Sequence, residues 1–144
     1  MPSGILTETV TIETNKAQAS NWEGQILRLS MAKRLVHKLS SNIVTQIRAK
    51  YKPEIDAIRN KIASLDSQRT TNEYTVLMSE LNDLNAEQDQ QIEQAEQEAS
   101  DKEEDLQLQI DGLETRLEAI KKDTETLEET RSDNIQNAFN YFQT

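Results

Sequence analysis

Carboxylates and one histidine are the side chains here with the widest chemical reach. The run Asp101–Asp105, "DKEED", is dense enough in acid to attract a divalent cation loosely. It lacks the glycine turn and the alternating ligand positions that an EF-hand loop needs. His37 is the only histidine and Cys is absent, so thiolate zinc sites and disulfides are excluded. A lone histidine among lysines and arginines reads as a surface or interface residue. Gly-rich phosphate loops, a G-x-S-x-G elbow and an HExxH helix are all missing. Nothing in the pattern encloses a carboxylate enough to tune its pKa. The expectation is therefore no enzyme, no catalytic residue, no metal site and no cofactor.

The remaining chemistry is charge. Gln25–Lys52 holds seven Lys/Arg and no acid. Such a block could track nucleic acid or lie on a membrane surface. Against both stands a net charge of −10. The charge is also divided. Residues 1–70 carry 11 basic and 6 acidic side chains, and residues 71–144 carry 5 and 20. The stretch 85–105 holds nine carboxylates, one lysine and a single large apolar residue, Ile92. An acidic block of that size competes for the cations, so nucleic acid is disfavoured and self-complementation is expected.

Long helices must carry these charges. Gly is 3, Pro is 2 and 35% of the chain is hydrophobic, a composition for helices rather than turns and sheets. Residues 1–18 look different: "ILTETVTIET" alternates and is β-branched, which predicts an extended or flexible arm. Apolar residues then recur every three or four positions from Trp22 to Leu65, predicting a helix over 19–67 with a kink or short break near Pro53. "DSQRTTNE" predicts a turn, placed at 68–72, with Thr70 and Glu73 as a capping box. A second three-four seam runs from Tyr74 to Phe142, predicting a coiled-coil helix over 73–142 of about 100 Å. Ser100 and Gly112 are its weak points, so a third helix stays open.

The expected fold is all-α: a long antiparallel coiled-coil hairpin with an extended N-terminal arm and an overhanging C-terminal helix. Folding at 68–69 sets residue i against roughly 137 − i. The acidic stretch 85–105 then faces 32–52, which has six cations and no acid. Arg34, Lys38, Arg48 and Lys50 are the expected partners of Glu93, Glu96, Asp101 and Glu103. Helix 1 is also more apolar than the Ile92, Ala95 and Ala99 opposite it, which leaves surface for a partner. The expected interface is Trp22, Ile26, Leu27, Met31 and Leu35. Ile135, Phe139 and Phe142 join it, from a segment past Arg116 that would overhang by about 40 Å.

These features predict a non-enzymatic, self-associating structural subunit, partnered by itself and by other proteins of one assembly. No apolar run approaches a membrane span, and "MPSGILTETV" lacks the regions of a Sec signal, so a soluble chain is expected. In size, acidity and shape it resembles small coiled-coil proteins of bacteriophage particles, which implies a virion or scaffold component. Its polar Ser/Thr/Ile start followed by helices is similar to substrates of type III secretion, which implies a filament subunit instead. A soluble adaptor or chaperone holding a partner helix is the third reading.

Overall fold

The computed structural model describes residues 2–65 and 72–143. Two helices account for nearly all of it: α1, Pro2–Ser64, and α2, Asn72–Gln143. They pack against each other as an all-α hairpin, and no strand occurs among the described residues. Few breakers and a sustained apolar seam explain both lengths. Pro2 sits at a helix start, where its missing N–H is not needed. Lys61 in the last turn of α1 and Glu73 in the first turn of α2 each oppose the local helix dipole. The predicted turn over 68–72, with Thr70 of its capping box, lies outside the described residues except for Asn72.

Helix α1 runs unbroken through Pro53, so the short break is not found. The carbonyl of Ala49 loses its donor there, and both residues are exposed, so water can replace it. Helix α2 likewise continues through Ser100 and Gly112, which removes the third helix.

The extended arm is corrected: residues 2–18 are helix. The threonines that suggested a strand bond back along the helix. Thr9, Thr11 and Thr14 donate to the carbonyls of Ile5, Thr7 and Val10, each at 2.9 Å. The seam continues through Ile5, Glu8, Ile12, Asn15 and Ala19 to Trp22, in steps of three and four. Ile12 is fully buried. Local β preference gave way to this packing.

The chain divides into two compact units, Met1–Ala32 with Asp105–Thr144, and Lys33–Glu104. In the first, Ile12 and Ile110 are the buried core. Lys121 pairs with Glu23 at 3.0 Å and Lys16 with Glu128 at 3.2 Å. Asn134 donates to Glu8 at 2.8 Å, and Asn15 to Asp123 at 2.9 Å. The predicted overhang past Arg116 is thereby also corrected. Once residues 2–18 are helix, that part of α2 has a partner. In the second unit Tyr51, Ile55, Leu77 and Ile92 are buried. Gln91 donates to the Tyr51 hydroxyl at 2.8 Å.

Within each unit the helices are antiparallel, but the register differs from 137. Paired residue numbers add to 138 for Asn15 with Asp123, and to 144 for Lys16 with Glu128. In the second unit they add to 140 for His37 with Glu103, and to 142 for Tyr51 with Gln91. Helical side chains lean toward the N-terminus of their own helix. In an antiparallel pair the two leans are opposed, so contacting residues both lie further along their chains than residues at equal height.

Candidate functional site

Among the described residues no three His, Cys, Asp or Glu groups come together as metal ligands would. No helix among them is long and apolar enough to cross a membrane. What the structure does offer is exposed apolar surface beside unneutralised charge.

In the second unit α2 presents Ala95 and Ala99 to α1, and small side chains cover little. Val36, Leu39 and Ile43 line one side of a shallow groove with Ala95, Ala99 and the stems of Glu98 and Lys102. Leu35, Leu39 and Ile43 remain 55%, 50% and 46% exposed. The opposite side of Ala99 opens into a more polar groove of about 470 Å³, bordered by His37, Ser40, Ser41, Glu96 and Glu103. The sequence placed Leu35 in the interface but put Leu39 and Ile43 in the seam. A step of four residues advances 40° around a helix, so a run of such steps crosses from one face to another. Leu35, Leu39 and Ile43 open such a run, which reaches the buried face only at Tyr51 and Ile55, and that was the available signal.

The first unit keeps Trp22 and Ile26 half-buried in the seam. Leu27 and Met31 are exposed as expected. A groove of about 530 Å³ lies between Gln25, Arg28 and Leu29 of α1 and Leu108, Gly112 and Arg116 of α2. Gly112 contributes no side chain to fill it. Ile135, Phe139 and Phe142 are 50%, 60% and 84% exposed, with the Tyr141 ring edge-on to Phe142 at 5.6 Å. Leu6 and Val10 are also exposed. Sequence reasoning misses them because their segment reads as an arm.

The charge pairing forms only in small part. His37 Nδ1 lies 3.5 Å from Glu103, an ion pair only when the imidazole is protonated. Lys50 sits over the Tyr51 ring, 5.4 Å from its centre. Lys52 bonds Asp56 on its own helix at 3.1 Å, and Asp101 accepts from Gln97. Among the described residues, Arg34, Lys38 and Arg48 make no ion pair with α2, and Glu93 and Glu96 none with α1. The blocks face each other as fields rather than as bonded pairs. Exposed Lys and Arg gain little from giving up their rotamer freedom.

Tyr51 is the one strongly placed polar group. Burial raises its phenol above the ordinary value near 10, and so do the Glu87 carboxylate that accepts its hydrogen bond and the charge of Glu54. The hydroxyl therefore stays protonated, and it accepts the Gln91 amide. It anchors the acidic stretch of α2 to α1.

The chain matches no family model, no curated protein and no solved structure.

Proposed function

We propose that this chain is a non-enzymatic structural protein, a self-associating helical subunit of a larger particle or filament, with a virion or scaffold component as the favoured setting. The observation that supports this is large apolar side chains exposed on both helices, Leu35, Leu39 and Ile43 on α1 and Ile135, Phe139 and Phe142 on α2. Contiguous apolar surface on a hairpin calls for a protein cover. A secretion-type filament subunit would use the same faces. A soluble adaptor is the second reading, favoured by the groove beside Ala95 and Ala99, where a foreign helix could lie.

Sedimentation at rising protein concentration, with electron microscopy of the same samples, tests the proposal. Mass that grows with concentration, with particles or filaments in the images, is expected. Replacing Leu35 and Phe139 by serine should abolish that growth and keep the helicity. A single discrete monomer or dimer at the highest concentration would refute the structural role and favour the adaptor.

A further inference from the structure

We propose that Ile135, Phe139 and Phe142 of one copy dock on the Leu35–Leu39–Ile43 face of a second copy, building a head-to-tail contact. This rests on the self-association reading and names the two surfaces that meet.

Charge decides between the candidate occupants. A two-fold contact of α1 with another α1 would bring together two Gln25–Lys52 blocks, each with seven cations and no acid. Like charges across such a seam are repulsive. The acidic stretch 85–105 of another copy has the right sign, but its outward residues include no apolar side chain larger than Ala86 to fill the groove. The Ile135–Phe142 segment is itself uncharged, but it brings three large exposed apolar side chains, more than Leu6 and Val10 or Leu108 offer. Its anchors fall at i, i+4 and i+7, the spacing by which a helix fills a groove. Exposed Glu125, Glu129 and Asp133 precede them on the same helix, against one half-buried cation, Arg131, so the stretch is acidic on balance. On the receiving side Arg34 and Lys38 flank Leu35 and Leu39, exposed and without an ion pair among the described residues. Leu35, Leu39 and Ile43 form an i, i+4 ridge, and so do Ile135 and Phe139. Ridges of that kind interlock at a crossing of about −50°. The two surfaces differ, so each docked copy still offers one of each, and the contact propagates into a ring or an open chain.

The absence of native cysteine makes the test direct. Asn42 and Ser132 are exposed and lie within one turn of the receiving ridge and of the anchors. Asn42→Cys and Ser132→Cys are prepared as separate full-length proteins, mixed, and treated with a bifunctional maleimide. A cross-linked dimer is expected in the mixture, several-fold above either protein alone, and reduced several-fold in about 1 M salt, where screening shortens to about 3 Å. Phe139→Ser in the Ser132→Cys protein should remove it, with helicity unchanged by circular dichroism. Equal cross-linking by either protein alone would overturn the docking while leaving self-association standing. So would assembly seen by sedimentation without any mixed adduct. No adduct together with a monomeric mass would overturn both.

Discussion

Replacing Ile92 by alanine asks what holds the acidic stretch of α2 in place. Ile92 is 8% exposed and is the only large apolar residue between 85 and 105. The change deletes three carbons, worth about 0.8 kcal/mol each in transfer from water. Ala95 and Ala99 beside it are too short to fill the gap, so a cavity term adds and the loss should be about 2–4 kcal/mol. The opposing account relies on charge. The ion pair seen across the helices in this unit, His37 with Glu103, has an 80% exposed imidazole. Such a pair contributes about 0–1 kcal/mol. Urea unfolding followed by circular dichroism at one fixed protein concentration compares Ile92→Ala with Glu103→Gln. With a slope of about 1–3 kcal/mol per molar, the alanine variant should lose on the order of 1 M in midpoint. The glutamine variant should lose much less, with the slope unchanged in both. A neutral Ile92→Ala beside a large effect of Glu103→Gln, or of salt, would refute the argument that packing carries this stretch.

Gly112 lies inside α2, and a methyl group built there meets nothing within 4 Å. Gly112→Ala should therefore stabilise the fold by about 1 kcal/mol, raising the thermal midpoint by about 3–4 °C. Tyr51 gives a pH signature. Its phenol pKa is raised by burial and by Glu87, so the folded state favours the neutral form. The stability this adds is complete below the ordinary value near 10 and is lost as pH climbs through the higher folded value. Alkaline unfolding curves should show that loss in the native chain and a shallower one in Tyr51→Phe, with a phenol absorbance titration locating the step.

Helix pairing was legible wherever the seam was apolar. From Trp22 to Ser64 and along α2 the three-four steps point to the element found, although α1 starts 17 residues before the expected 19. Residues 5–19 hid the same pattern because Glu8 and Asn15 occupy seam positions. Threonines between them satisfied a strand template whose preference depends on context. One error produced the other, since a missing first half of α1 made the far half of α2 look unpartnered. The exposed ridge was hidden differently. Leu39 and Ile43 fit the local spacing, and only the accumulated 40° of each four-residue step separates them from the buried face that the run reaches at Tyr51 and Ile55. The ion pairs were the least legible. Composition fixes which blocks attract, but not whether a long exposed side chain will settle on one partner.

The polar seam residues bear on the register. Glu8 receives the Asn134 amide, and Asn15 reaches Asp123. Sliding α2 by one heptad would keep every apolar step in phase, so apolar packing alone tolerates the slip. The same slip would bring Glu8 toward Leu127 in place of Asn134. A carboxylate already short of one partner, with Oε2 enclosed and without a hydrogen bond among the described residues, would lose the bond it has. The penalty for that loss is larger than the gain from forming the bond, because a buried acceptor must give up its water in either case. Polar residues in a helical seam therefore select one alignment at some cost in stability. In this unit two polar pairs fix the alignment of residues 2–18 on the far half of α2, beside the buried Ile12 and the Lys16–Glu128 ion pair.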